Sequence, residues 1–161
     1  EVARRAGVPK STIYRRWPSL VDLAVDAVDA ALGPRGCEPG RDPLADLSAL
    51  IVRAHSYIAA SPLAGVLPQI ALELVGRPEA QAAYRDRVIA PLRNSAIDAV
   101  ERARAAGQWP GPDPVTSVDM MIGTIAYRLN YLGRASSLEE AFEVAEAVAR
   151  RSLPRPSAPH S

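Results

Sequence analysis

Apolar residues recur every three or four positions along most of the chain, and Pro, Gly, Ser and Asp mark the breaks between these stretches. This spacing is typical of amphipathic helices, and the frequent alanines favour helix over sheet. We therefore expect an all-α protein with a small module over residues 1–31, a larger one over 42–153 and a disordered tail over 154–161. The pattern predicts helices over residues 10–17, 20–31, 43–60, 64–76, 78–106, 114–133 and 138–152.

The predicted helix boundaries rest on local chemistry. Ser19 with Asp22, and Ser137 with Glu140, have the spacing of a capping box. Pro91 lies inside the predicted helix 78–106 and should kink it, since proline lacks a backbone N–H donor. The helix over 20–31 shows an apolar stripe that should face a core and three aspartates on the opposite side. The stripe comprises Leu20, Leu23, Ala24, Ala27, Val28 and Ala31, and the aspartates are Asp22, Asp26 and Asp29.

Positive charge is concentrated at one end of the chain. Residues 1–20 carry five basic residues against Glu1, a net charge of +4, whereas the remaining residues carry −3, which gives the overall +1. A basic module followed by a mildly acidic body suggests that one end meets a polyanion. A solvated charged face remains an equal alternative from charge alone.

The basic segment has the pattern of a helix-turn-helix. A short apolar stretch ends at Gly7, and a second short helix follows Pro9. The second helix of such a motif enters the major groove of DNA, and the polar side chains of this one are suited to that position. Hydroxyl and guanidinium groups donate to phosphates and base edges, whereas Ile13 and Trp17 should face the core. The candidate DNA-binding residues are Lys10, Ser11, Thr12, Tyr14, Arg15 and Arg16.

The stretch "VARRAGVPKSTIYRRWPSLVDLAVDAV" resembles the helix-turn-helix of the tetracycline-repressor (TetR) family of bacterial transcriptional regulators, whose pattern is A-x-x-A-G-V-x-x-x-T-x-Y-x-x-F-x-S-K. The resemblance implies that Thr12 and Tyr14 contact the DNA backbone. Leu20 replaces the usual lysine and removes one expected phosphate contact. Family members also have a helix before this motif, so we expect residues to precede Glu1. The matched positions are Ala3, Ala6, Gly7, Val8, Thr12, Tyr14 and Ser19, with Trp17 in place of phenylalanine and Pro9 in place of a capping serine.

The last two predicted helices carry apolar stripes that resemble the four-helix dimer interface of TetR regulators. A homodimer would place two recognition helices about one DNA turn apart on palindromic operator DNA. The alternative is that both stripes belong to the core of a single chain. The candidate interface residues are Met120, Thr124, Tyr131, Leu138, Ala141, Phe142, Ala145, Val148 and Ala149.

Polar or soft side chains among the apolar helical faces of the larger module suggest an effector pocket. Arg128 lies on a mostly apolar helix and should need a carboxylate, such as Glu73, or an anionic ligand. Each residue, taken alone, is more typical of an ordinary core or surface position. The candidate ligand-binding residues are Tyr57, Gln69, Glu73, Tyr84, Met121, Tyr127 and Arg128.

Other functional classes lack support in the sequence. There is no phosphate-binding glycine loop or nucleophile motif, and the single cysteine and two histidines give no metal-site spacing, so we expect no enzyme, metal or cofactor. No apolar run is long enough to span a membrane, and we expect a cytoplasmic protein. The favoured interpretation is a ligand-responsive transcriptional regulator, most simply a repressor released from DNA by a small-molecule effector. The alternative is a DNA-binding module controlled by a protein partner, which would have a filled core instead of a cavity of several hundred Å³.

Overall fold

The computed structural model describes residues 4, 7–33, 37–58, 65 and 67–156, and every regular element among them is helical. The all-α prediction is therefore confirmed. The elements are α1 (Lys10–Arg16), α2 (Leu20–Leu32), α3 (Pro43–Ile58), α4 (Leu67–Glu73), α5 (Pro78–Tyr84), a π-helical turn (Arg85–Ile89), α6 (Ala90–Ala105), α7 (Pro114–Leu132) and α8 (Leu138–Ala149).

The helix N-termini follow the local signals in the sequence. Both capping boxes are present: the Ser19 hydroxyl accepts from the Asp22 amide at 3.2 Å, and the Ser137 hydroxyl accepts from the Glu140 amide at 3.1 Å. The Asp113 carboxylate accepts from the first turn of α7. These side chains satisfy backbone donors that a helix start leaves unpaired, so the boundaries depend on few residues and are readable from sequence.

The long helix predicted over 78–106 is interrupted. Between α5 and α6 the backbone widens into the π-helical turn, in which the Ala90 amide donates to the carbonyl of Arg85, five residues back. Pro91 follows directly and its ring would clash with the carbonyl four residues earlier, that of Arg87. A wider turn relieves that clash, so the proline is accommodated by a local change of helix type. The side chain of Arg87 extends from this turn.

The larger core lies among α3, α6, α7 and α8, and we call it the body core. Its most deeply buried side chains include Leu47, Val100, Val118 and Phe142, each no more than 1% exposed. Alanines on α6 and α8 allow each of these helices to pack closely against α3. The body core thus joins α3 to the last three helices of the chain.

A second, smaller core lies between α2 and the segment from α4 to the π-helical turn, and we call it the junction core. Val21, Val25 and Val28 of α2 pack there. Of the predicted stripe, Val28 is buried and Ala24 packs against this core, whereas Leu23 is only half-buried and Ala27 and Ala31 are exposed. The side chain of Leu20 lies outside the described residues. A single methyl group contributes little to burial, so the valines decide which side of α2 turns inward. Their partners are Ile70, Leu74 and Val88.

The predicted disordered tail follows a buried residue, Leu153, and one of its own residues is packed. The guanidinium of Arg155 lies 4.0 Å from the centre of the Phe142 ring. Arg155 also pairs with Glu146 at 2.7 Å. Chain packing therefore continues to Arg155, whereas residues 157–161 lie outside the described residues.

Candidate DNA-binding surface and effector cavity

Helix α1 presents its polar residues to solvent. Ile13 is buried, 8% exposed, and anchors one side of the helix, whereas Tyr14 on the other side is 54% exposed. The hydrogen-bond donors of the polar side chains are therefore exposed and close together on a helix of seven residues. All six sequence-selected residues are exposed: Lys10, Ser11, Thr12, Tyr14, Arg15 and Arg16.

Trp17 connects α1 to α2. It is half-buried, and its indole N–H donates to the carboxylate of Asp26 at 2.7 Å. The guanidinium of Arg16 lies 4.8 Å from the centre of the Trp17 ring, within the range of a cation–π contact. The end of α1 is therefore fixed to the middle of α2 through one carboxylate.

Arg87 of the π-helical turn binds the same carboxylate from the other side. Its guanidinium donates to Asp26 and also to Asp29, with Nη2 2.7 Å from Asp29 Oδ2. Two of the three aspartates on α2, Asp26 and Asp29, thus contact another element. We call Arg87, Asp26, Asp29 and Trp17 the Arg87 clamp.

The clamp changes the ionisation of its members. The Trp17 indole N–H and, after it, the Arg87 guanidinium lower the pKa of Asp26 below its ordinary value. The hydrogen bonds that Arg87 donates to Asp29 and Asp26 raise the pKa of its guanidinium. Asp26 and Arg87 are therefore both charged at neutral pH.

Behind the π-helical turn, the helices enclose two apolar cavities of about 50 and about 90 Å³. Both are lined by Ala54, Leu92, Ile122 and Ile125, so they meet along one wall made by α3, α6 and α7. The second cavity also reaches Leu32, Ile58, Tyr57, Tyr84, Val88, Ile89 and Arg93. It therefore borders the end of α2 and the π-helical turn that carries Arg87.

The seven sequence-selected ligand residues divide between the cavities and the surface. Tyr57 and Tyr84 line the larger cavity, and Met121 lines the smaller one. The other four line neither: Gln69 and Glu73 are exposed, Tyr127 is 55% exposed, and Arg128 is bound elsewhere. Most of the residues that line the cavities could not be identified from the sequence, because aliphatic residues at helical spacing give the same pattern whether they fill a core or border a cavity.

Arg128 has a different partner from the one expected. Its guanidinium donates to the Ser136 hydroxyl at 3.3 Å and lies 3.9 Å from the Glu140 carboxylate. The expected partner Glu73 is exposed on α4. Arg128 therefore fastens α7 to the start of α8, and no ligand is needed to balance its charge.

The candidate dimer residues on α7 and α8 are in different environments. Those on α8 pack inside the same chain, the alternative that the sequence left open, with Ala141, Phe142, Ala145, Val148 and Ala149 buried and Leu138 half-buried. On α7, Met120 is 48% and Tyr131 80% exposed, and Thr124 is half-buried. The aromatic ring of Tyr127 stacks on that of Tyr131, with centroids 5.8 Å apart.

The outer face of α7 is consequently an exposed apolar surface. Met120, Gly123, Tyr127 and Tyr131 recur at the spacing of one helix face, and a Cβ atom on Gly123 would contact nothing within 4 Å. Large exposed apolar side chains grouped on one face are typical of an interaction site. We call these four residues the α7 outer face.

None of the helices in the described residues combines the length and apolarity required to cross a bilayer. Within the same residues, no three His, Cys, Asp or Glu side chains come together in a way that would hold a metal ion.

A short exposed basic helix joined to a larger helical body by a clamped connecting helix is the architecture of a helical transcription regulator. Comparisons with known proteins agree. Residues 40–150 match the family model described as tetracyclin repressor-like, C-terminal domain. The chain therefore belongs to the TetR family of transcription regulators.

A solved structure supports the same assignment over nearly the whole chain. The crystal structure of the TetR family transcription regulator SCO0332 is similar with a TM-score of 0.72 and 26% sequence identity, over 95% of this chain and 85% of that one. No curated protein matches the sequence. The similarity thus extends the family assignment to the basic segment that precedes residue 40.

Proposed function

We propose that this TetR-family protein is a ligand-responsive repressor that acts in the cytoplasm, binds palindromic operator DNA as a homodimer and is released by a small-molecule effector. The observation that supports it most directly is the position of Arg87. The π-helical turn borders the larger cavity on one side and grips α2 through Arg87 on the other. A change in the cavity therefore has a short physical route to α1.

DNA binding is assigned to the exposed face of α1. Lys10, Arg15 and Arg16 supply positive charge for phosphates, and Thr12 and Tyr14 supply hydroxyl donors. Arg16 rests on the Trp17 ring, which limits its freedom before DNA arrives. Counterion release should make affinity fall steeply with salt.

Dimerisation is assigned to the α7 outer face. Its two tyrosines bury large rings against a second copy, and Gly123 lets the two helices approach closely. A two-fold axis through this face brings the same residues together from both chains. The stripe on α8 supports the interface from beneath by filling the body core.

Release follows from the small size of the cavities. A ligand larger than the present space must push Val88 or Ile89 outward. These are the two residues that follow Arg87 in the π-helical turn. Because Arg87 holds Asp26 and Asp29, displacement of the turn tilts α2 and changes the distance between the recognition helices of the dimer. The effector thus needs higher affinity for the tilted state than for the DNA-bound state.

Fluorescence anisotropy with the DNA that flanks the gene tests the proposal. We expect tight binding of two protomers per palindrome, with affinity that falls as salt rises. Arg15→Ala and Tyr14→Phe should weaken operator binding without changing the dimer observed by sedimentation. Sequence-independent, weak binding by the unmodified protein would contradict the proposal.

The dimer assignment has a matched pair of variants. Gly123→Arg places a long charged side chain on the α7 outer face without a clash inside the protomer, and Gly123→Ala is its control. We expect the arginine variant to sediment as a monomer and to lose operator affinity, whereas the alanine variant stays dimeric. A dimeric arginine variant would place the interface elsewhere.

Control by a protein partner is the second candidate, and the cavity volumes favour it. About 50 and about 90 Å³ fall well short of the several hundred Å³ expected for a preformed effector pocket. In that case operator binding would respond to a protein added in stoichiometric amounts and to no small molecule. A screen of both kinds against the operator complex separates the two candidates.

A further inference from the structure

The cavity lining contains very little charge. Among the described residues that border the two cavities, the ionisable side chains are Tyr57, Tyr84 and Arg93, and all three lie at the larger cavity. The smaller cavity is bordered by aliphatic side chains and Met121. Recognition within this space therefore depends on apolar contact.

The positive charge of Arg93 is already balanced. Its Nε donates to Asp119 Oδ1 at 2.9 Å and its Nη2 donates to Oδ2 at 3.0 Å, the two-point geometry that arginine and carboxylate prefer. An anionic ligand would have to displace Asp119, and a cationic ligand would face Arg93. Either ion would lose its hydration without gaining a new counter-ion.

Tyr84 supplies polarity without charge. Burial raises the pKa of the Tyr84 phenol, so the group stays neutral throughout the physiological range. Tyr57, half-buried on α3, borders the same cavity. A phenol is both a hydrogen-bond donor and an acceptor, which suits a ligand hydroxyl or carbonyl.

The volume limits the size of the ligand. The two cavities share a wall, and even the larger one, about 90 Å³, is smaller than the roughly 150 Å³ at which an apolar protein cavity accepts benzene. A single aromatic ring therefore fills the larger cavity completely. To enter, it must displace part of the lining, which includes Val88 and Ile89 of the π-helical turn.

We propose that the ligand of this site is a small, uncharged and mostly apolar molecule, about the size of one substituted aromatic ring and with at most one hydroxyl or carbonyl group. Apolar contact with Ala54, Leu92 and Ile122 supplies most of its affinity, and Tyr57 or Tyr84 binds its polar group. The proposal rests on the proposed function only in calling this ligand the effector.

Four compounds that share one ring separate charge from shape. Toluene, benzyl alcohol, benzoate and benzylamine, which is protonated at neutral pH, are titrated into the full chain, and methyl resonances are followed by NMR. We expect toluene and benzyl alcohol to bind saturably and the two ions to bind at least about tenfold more weakly, since neither ion finds a counter-ion. Benzoate or benzylamine binding as tightly as benzyl alcohol at this site would overturn the proposal, as would no binding of either neutral compound.

A pair of variants on one helix locates the binding. Ala54 borders both cavities, so Ala54→Leu fills them, whereas Ala45→Leu adds the same side chain to the solvent face of α3. Neutral-ring affinity should fall about tenfold or more in the first variant, in which the added isobutyl group takes the ligand's space, and stay unchanged in the second. Thermal unfolding by circular dichroism verifies that both variants fold. Equal affinity in the two variants would overturn the proposal.

Operator binding, measured in the same samples, separates failure of the proposed ligand class from failure of the release step. If neutral rings bind at Ala54 and operator affinity stays unchanged, the ligand class holds and the release step of the proposed function fails. If an ion releases the operator and the neutral rings do not bind, the release step holds and the ligand class fails.

Discussion

The body core and the junction core hold their helices in different ways. The body core joins four helices through many buried apolar side chains, with Phe142 and Leu47 each 1% exposed. The junction core contains a much smaller aliphatic cluster, and the Arg87 clamp supplements it at the surface, where Arg87 is 45% exposed. The body core therefore holds one arrangement, whereas the junction can shift at low free-energy cost.

This difference suits a regulator whose two ends must communicate. The cavity lies between the two cores, with Leu92 and Ile122 packed against the body core and Val88 part of the junction core. A ligand that expands this space will move the less tightly packed side. The effect of binding should consequently reach α2 before it disturbs α7 and α8.

The largest expected effect is a loss of body stability. Phe142→Ala should lower the free energy of unfolding by about 3–5 kcal/mol, since it removes a fully buried ring and leaves a cavity beside Arg155. Denaturant titration followed by circular dichroism measures it. Leu72→Ala removes an aliphatic side chain that is 74% exposed on α4 and serves as the control, with little change expected. A small loss for Phe142→Ala would contradict the distinction between the two cores.

A smaller loss is expected in the junction. Val25→Ala removes two buried methyl groups and should cost roughly 1.5–3 kcal/mol locally. Hydrogen exchange should show faster opening of amides in α2 than in α7, because the cost falls on the smaller core. Ala27→Gly, on the exposed face of the same helix, controls for helix propensity. Uniform acceleration in all helices would show that the two cores unfold as one.

The sequence predicted helix boundaries better than helix environments, and the reasons are physical. Ser19 with Asp22, and Ser137 with Glu140, act within one turn, so adjacent residues suffice to place them. The stripes of α7 and α8 follow the same period, and only the packing of the whole chain decides that Phe142 is buried and Tyr131 exposed.

The contacts of the Arg87 clamp could not be predicted from the sequence, for a related reason. Arg87 and its two aspartates are separated by 58 and 61 residues, and local patterns carry no information about such pairs. The only local signals were two aspartates one turn apart on α2 and an arginine four residues before Pro91. Neither signal identifies its partner.

Removal of the clamp should affect coupling more than stability. Arg87→Ala breaks partly exposed ion pairs, so we expect a stability loss of about 1 kcal/mol or less. The operator affinity of the variant should respond less to any effector that acts on the unmodified protein, since the π-helical turn no longer grips α2. Arg85→Ala, from an exposed pair on the same turn, is the matched control. An undiminished response in Arg87→Ala would assign coupling to the apolar contacts alone.

The smallest effect is a pH dependence confined to the junction. Because the Trp17 indole and Arg87 lower the pKa of Asp26 in the folded protein, its contribution to stability is present above its unfolded pKa of about 3.9 and is lost as pH falls through the lower folded value. The indole N–H resonance of Trp17 should therefore shift with a midpoint below about 3.9, and Asp26→Asn should abolish that titration. A midpoint above about 3.9 would mean that burial outweighs the hydrogen bonds at this carboxylate, and the junction would then be held by the valines and not by the clamp.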